Sequence, residues 1–279
     1  MRSLEGHAAE LFSLTGKVAV VVGASGAIGG ALTAALGGAG ASLALIGRRP
    51  GPLEELADAL RDDGMDALAW PCDALDPTAL AKVRDHVLAH WGATDILVNA
   101  AGGNVPAATL PDDRLPFEVE LSAYRDVIEL NLFATLNAIN VFGSALVSSR
   151  SDDRAVLNIS SMAAERSMTR VGGYGAAKAA VESVTRWLAV ELGRREIPVR
   201  VNAIAPGFFI GNQNRALLLQ PDGSLTERGH TIITKTPLRR FGDLADLAST
   251  AVWLCSPGAR FVTGVVVPVD GGFSAFSGV

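Results

Sequence analysis

Residues 18–47 read VAVVVGASGAIGGALTAALGGAGASLALIG, thirty residues without a charged side chain. The run is long enough to span a bilayer, so its reading decides between a membrane segment and the centre of a globular fold. Eight of the thirty are glycine. They divide the run into a valine-rich stretch, a glycine-rich turn, an alanine/leucine helix and a second apolar stretch. A strand–helix–strand unit buried on both sheet faces has this composition. Glycines at a strand-to-helix turn admit close approach by a pyrophosphate, and the N-terminus of the following helix favours its charge. VVGASGAIGG (21–30) is therefore a candidate nucleotide cradle.

The rest of the chain continues the same alternation. Short apolar runs at 17–22, 42–46, 67–71, 96–99, 155–160, 199–204 and 265–269 read as strands. Alanine-rich periodic stretches at 27–38, 52–62, 77–90, 121–148, 173–193 and 243–254 read as helices. This pattern predicts an α/β fold, a doubly wound parallel sheet of about seven strands with helices on both faces. We expect one domain over 1–279, with two long connections at 102–120 and 206–241. Both would leave the carboxyl ends of strands, where ligands bind in open α/β sheets. Of 279 residues 49% are hydrophobic and 19% charged, and the formal net charge is −5. That balance argues against a nucleic-acid or anionic-membrane binder. The two cysteines, Cys72 and Cys255, fit no metal spacing, and MRSLEGHAAELF lacks the order of a signal peptide. A reduced, cytoplasmic setting is the expectation.

The second strand ends in IGRRP. An acid here would bind the ribose 2′-hydroxyl of NAD, but Gly47 holds the position, followed by Arg48 and Arg49. An arginine can pair with the 2′-phosphate of NADP, so NADP(H) is favoured over NAD(H). Farther on, GGYGAAKAA (172–180) places Tyr174 and Lys178 four residues apart, on one face of a helix. Small residues around them leave room for something to come close.

With these residues in hand the chain resembles the short-chain dehydrogenase/reductase family over about residues 14–272, which implies a single Rossmann-type domain with a substrate lid near 206–241. The family's glycine motif is T-G-x-x-x-G-x-G. Here Val22 replaces the threonine, Gly23 and Gly29 match, and Ala27 replaces the middle glycine, with Gly26 one position early. The departure implies a slightly different turn. Asp73 matches the adenine-contacting aspartate, Asn99-Ala100-Ala101-Gly102 the N-A-G motif, and Asn131 the family's asparagine. Ser161 lies 13 residues before Tyr174, Tyr174 to Lys178 forms Y-x-x-x-K, and Pro206-Gly207 is the P-G motif. The resemblance implies a cofactor site formed by Gly23, Ser25, Ala27, Ile28, Gly29, Arg48, Arg49, Asp73, Ala74, Asn99, Ala100, Ala101, Gly102, Tyr174, Lys178, Pro206 and Gly207.

It also implies catalysis by Asn131, Ser161, Tyr174 and Lys178. A free phenol has a pKa of about 10, and a nearby ammonium lowers it, so Lys178 is expected to activate Tyr174 as the acid–base group. Ser161 would hold the substrate oxygen. By resemblance Lys178 also grips the nicotinamide ribose, and Asn131 holds a water in a proton relay. Ser161, Met162, Arg166, Phe208, Phe209, Gln213, Asn214 and Arg215 are the candidate substrate residues, with Arg170 adding positive charge nearby. Their donors suit a polyhydroxylated acid. NISSM, APGFF with QNRALL, and VDGGFSAFSGV are similar to the D-mannonate oxidoreductase (fructuronate reductase) branch of the family, which implies D-fructuronate and D-mannonate as substrate and product. Alternatives are a 3-oxoacyl carrier-protein reductase, a gluconate dehydrogenase, or a non-catalytic NADP-binding regulator.

Other residues read as structural. His86 and His90 lack an intervening acid and lie on an amphipathic helix, so no metal site is expected. Ser160 falls one position off the serine spacing, and Asn202 is expected to brace a strand-to-loop junction. Trp70, Trp91, Trp187 and Trp253 are expected in the core or at an interface. The resemblance implies a homodimer or homotetramer formed through the long helices.

Overall fold

The structure, a computed structural model, describes residues 9–211 and 214–278. The glycine-divided run becomes strand β1 (Val18–Val22), helix α1 (Ala27–Gly38) and strand β2 (Ser42–Gly47). Then follow α2 (Pro50–Asp62), β3 (Ala67–Pro71), α3 (Pro77–Trp91), β4 (Ile96–Asn99), α4 (Leu121–Ile128), α5 (Ala134–Ser148), β5 (Arg154–Ile159), α6 (Gly172–Arg194) and β6 (Val199–Pro206). Two short helices, α7 (Arg215–Leu218) and α8 (Glu227–Lys235), precede α9 (Ala245–Cys255) and β7 (Val266–Val269).

The seven strands form one sheet of order β3-β2-β1-β4-β5-β6-β7, and every pairing is parallel. Side chains alternate across a strand, and the core divides accordingly. Ala19, Val21, Leu43 and Leu45 face α1, α2 and α9. Val18, Val20, Val22 and Ile46 face α3, α5 and α6. The strand order reverses between β1 and β4, and this switch point opens the crevice in which an α/β sheet binds ligands. Pro71, which cannot donate to a ladder, ends an edge strand, where it is tolerated.

Two expectations change. The helix expected through 121–148 is interrupted by a π-turn at Glu129–Phe133. Asn131 Nδ2 donates to the Val127 carbonyl at 2.8 Å, competing for an acceptor of the helical ladder, and such competition opens helices locally. The connection expected to be long and mixed beyond Pro206 contains α7 and α8 and is tied at its base by a bridge between Phe209 and Gly242.

Candidate active site

The β1–α1 turn is built by backbone contact. Gly23 has φ +88°, and a Cβ there would lie 2.5 Å from Ala101 N and 2.7 Å from Ala100 C. A Cβ at Gly29 would lie 2.1 Å from Gly23 O. Thus α1, the turn and the end of β4 meet with no room for side chains. The departure at Ala27 leaves this cradle intact, because its methyl is exposed at the first turn of α1. Across the crevice a Cβ at Gly211 would come within 3.4 Å of it, so the segment after Pro206 reaches back over the glycine turn.

Two adjoining cavities run from this turn. One, of about 610 Å³, is lined by Gly23, Gly47, Arg48, Asp73 and Ala74 among others. The second, of about 280 Å³, reaches Ser161, Tyr174, Lys178, Pro206 and Gly207. Ser25, Gly26, Arg49, Ala100 and Gly102 line both. The residues expected around a dinucleotide all line one or the other, except Asn99. Asn99 Nδ2 instead donates to Asn158 Oδ1 at 2.9 Å, bracing β4 against β5. The glycine cradle, the start of α1 and the length of the double cavity fit a dinucleotide.

At the inner end, α6 presents Tyr174 and Lys178 to β5. Lys178 is 4% exposed, its Nζ donates to Ile159 O at 2.7 Å, and it lies 5.7 Å from the Tyr174 ring centroid. Burial pushes Lys178 down from 10.5 to about 8. Burial also raises Tyr174, with the Ser161 hydroxyl pulling the other way. This reverses the expected direction for the phenol: desolvation dominates, and the ammonium is drawn toward a carbonyl.

The lowered lysine has a consequence for stability. Above about pH 8 the folded protein releases a proton that the unfolded chain still holds, so this contribution to stability rises with pH and is lost as pH falls through 8. Between about pH 7 and pH 10 the gain is on the order of 2 kcal/mol. In urea titrations the wild type should therefore gain on Lys178→Met as pH rises across this window. A constant difference would show that the lysine is not held below its ordinary pKa.

Ser161 follows β5 and caps a short 3₁₀ turn, its Oγ accepting the Ala163 N–H at 3.2 Å. Asn131 is fully buried. Besides Val127, its Nδ2 donates to Gly103 O at 2.7 Å, and its Oδ1 accepts from Gly103 N at 3.0 Å. With these bonds the side chain clamps the loop after β4. A Cβ at Gly102 would lie 2.6 Å from Asn131 Oδ1 and 3.0 Å from Lys178 Nζ, so this clamp requires a glycine.

Several of the expected substrate residues make bonds or packing contacts within the protein. Phe209 and Asn214 line the Tyr174 cavity, but Asn214 Nδ2 donates to Phe209 O and its Oδ1 accepts from Gly211 N, both at 2.8 Å. Arg166 donates to the Ser274 carbonyl, and Arg170 Nε to Leu110 O at 2.9 Å. Phe208 packs edge-on to Phe273, centroids 5.3 Å apart, and lines a separate cavity. Met162 is buried, Arg215 is exposed at the start of α7, and Gln213 lies outside the described residues. Gly103, Ile210, Gly211 and Leu244 line the Tyr174 cavity without having been anticipated. Gly103 and Gly211 adjoin the motifs, whereas Leu244 comes from another segment with no local signal.

The structural residues behave as their surroundings dictate. His86 and His90 are exposed on α3, and His90 packs on Trp91 with centroids 4.7 Å apart. Asn202 braces the approach to β7, donating to Val262 O at 2.9 Å and accepting from Val265 N at 3.2 Å.

Known proteins share this arrangement along nearly the full chain. A family model described as enoyl-(acyl carrier protein) reductase matches residues 23–274. An uncharacterized oxidoreductase of Bacillus subtilis is 38% identical over 276 residues, covering 96% of this chain and 98% of its own. A Haemophilus influenzae protein assigned provisionally as a D-mannonate oxidoreductase, solved with NAD bound, superposes with a TM-score of 0.89 at 35% identity, covering 98% of this chain and 100% of its own. A gluconate 5-dehydrogenase from Burkholderia cenocepacia, solved with NADP and tartrate, superposes with a TM-score of 0.85 at 27% identity, covering 97% and 100%. A chain that follows such enzymes from end to end, and that gathers a phenol, a hydroxyl and an ammonium at the inner end of a dinucleotide cleft, belongs to the short-chain dehydrogenase/reductase family and is an NAD(P)-dependent oxidoreductase acting on hydroxyl and carbonyl groups.

Proposed function

We propose that the protein interconverts a hydroxyl and a carbonyl on a sugar acid, with D-fructuronate and D-mannonate as the pair and NADP(H) as the preferred cofactor. The observation that carries the chemistry is the convergence of Ser161, Tyr174 and Lys178 on one cavity. When bound, the nicotinamide supplies or takes the hydride. Tyr174 donates its phenolic proton to the carbonyl oxygen in reduction and removes it in oxidation. Ser161 Oγ already accepts from Ala163 N, which leaves its O–H to donate to the same substrate oxygen. Lys178 uses one donor on Ile159 O and keeps others for ribose hydroxyls. Asn131 holds the Gly103 loop that closes the cavity floor.

Likeness to the Haemophilus and Burkholderia enzymes supports the sugar-acid reading. Gly47 supports NADP(H): it brings no carboxylate, and a Cβ there would already lie 2.9 Å from Ser25 Oγ and 3.2 Å from Leu53 Cδ1. Arg48 and Arg49 follow it along the larger cavity. Trp187 and Val190, 61% and 62% exposed on α6, support a subunit contact along that helix.

The test is the initial rate of NADPH and NADH oxidation with D-fructuronate. NADPH should be the faster substrate, and replacing Arg48 and Arg49 together by alanine should raise its KM about tenfold or more, leaving NADH little changed. Turnover of gluconate with none of fructuronate would move the assignment to the gluconate dehydrogenases. An unchanged NADPH KM in the double variant would remove the phosphate role of the arginines.

A further inference from the structure

We propose that Glu182 is a positioning residue for the reaction: acting through Ser160, it fixes the strand end that carries Ser161 against the helix that carries Tyr174. This rests on the proton-transfer reading above and adds a residue to it.

Tyr174, Lys178 and Glu182 follow one another at four-residue intervals on α6, so they form a line along one helical face. Glu182 is 3% exposed, and a carboxylate is buried only where partners offset its lost hydration. One partner is Arg186, whose Nη2 lies 2.9 Å from Oε2. The other is Ser160, whose Oγ donates to Oε1 at 2.8 Å. Ser160 is 2% exposed, and its backbone N–H donates to Ile204 O at 2.8 Å. Its main chain thus belongs to the sheet and its hydroxyl to the helix.

The two residues before Ser161 are therefore pinned to α6 twice, Ile159 by Lys178 and Ser160 by Glu182. The pins differ in kind. Lys178 lines the cavity, where cofactor hydroxyls would compete for its donors. Glu182 and Arg186 are not among the cavity-lining residues; Ser160 is, but its hydroxyl is engaged by Glu182 Oε1 at 2.8 Å, so the Glu182 pin has no cofactor donor or acceptor beside its carboxylate. Ser161 comes next in the chain, in extended backbone with φ −165° and ψ 151°. The Ala163 N–H holds its Oγ in one rotamer, so a shift of the strand end carries the hydroxyl with it relative to Tyr174, and displacements of about 1 Å in reacting groups lower rates about a hundredfold.

The experiment compares Ser160→Ala, Glu182→Ala and Glu182→Gln. The chain has two tyrosines, Tyr124 and Tyr174, so ¹³C labelling at the phenolic carbon gives two NMR signals, assigned with Tyr124→Phe. The expected result is that Ser160→Ala and Glu182→Ala lower kcat about 10- to 100-fold and move the Tyr174 signal, with KM for NADPH changed by less than about twofold. Glu182→Gln keeps an oxygen for Ser160 and should recover most of the rate and the wild-type signal. The idea is overturned if Ser160→Ala, folded, keeps the wild-type kcat and Tyr174 signal, even with a lowered Tm. It is equally overturned if Glu182→Gln is as slow as Glu182→Ala. Should Glu182→Ala not fold, the other two variants decide. Absence of turnover in the wild type would instead remove the proposed reaction, and the NMR comparison would still judge the pin.

Discussion

Replacing Tyr174 by phenylalanine lowers kcat about a thousandfold or more, while the nucleotide continues to bind. The ring is half-buried, and phenylalanine refills its volume, so the change removes the O–H and its contact with the Ser161 hydroxyl and little else. The cradle at Gly23 and Gly29 and the Lys178 bond to Ile159 O do not depend on that hydroxyl. What disappears is the group able to deliver a proton to the reacting oxygen; the Ser161 O–H can still bond that oxygen, but it is a poor proton donor at neutral pH. Turnover and NADPH titration should be measured on the same preparation. A rate within tenfold of wild type would place the proton donor elsewhere. Lost binding as well would mean that the phenol supports the cofactor site.

Gly23→Ala should weaken NADPH binding about a hundredfold and lower stability by roughly 2–4 kcal/mol. Two causes act together. Backbone at φ +88° costs an alanine about 1–2 kcal/mol. The new methyl would also meet Ala101 N at 2.5 Å and Ala101 Cα at 2.8 Å. Both are main-chain atoms, so the strain cannot be relieved by a rotamer change. The end of β4 must shift, and with it Ala100 and Gly102, the floor common to both cavities. Ala27→Gly is the contrasting variant: its methyl is exposed, and binding should stay within about threefold of wild type. Calorimetric titration and thermal melts read both. Equal behaviour of the two variants would mean that the turn does not form the cradle described.

Much of this molecule is legible along the chain because the informative signals are local. A buried parallel strand is apolar throughout, the glycine turn sits between two such strands, and Tyr174 and Lys178 share one turn of one helix. These placed the sheet, the cleft and the reacting groups. The unread features depend on partners far away in sequence. Arg166 is a free donor by composition, yet its bond is to Ser274, 108 residues on. Leu244 lines the cavity from the approach to α9. The direction of the Tyr174 shift depends on how much protein surrounds the ring, and Glu182 acquires meaning only when β5 is laid against α6. Asn214 falls in the same class: its amide has the chemistry expected of a substrate donor, but the backbone of Phe209 and Gly211 takes it up.

The π-turn at Glu129–Phe133 separates what the chain needs to fold from what it needs to work. Such a turn holds one residue more than an α-turn of the same span. The helices on either side still bury their own faces, Ala123 and Val127 before it and Ala134, Ala138 and Phe142 after it. The flanking apolar faces therefore do not need the surplus residue, whereas the turn buries Asn131 where it clamps Gly103. A chain one residue shorter here could run as an unbroken helix, keep its core, and lose the grip that shapes its cavity floor. In this segment an unbroken helix and the clamp on Gly103 call for different chain lengths.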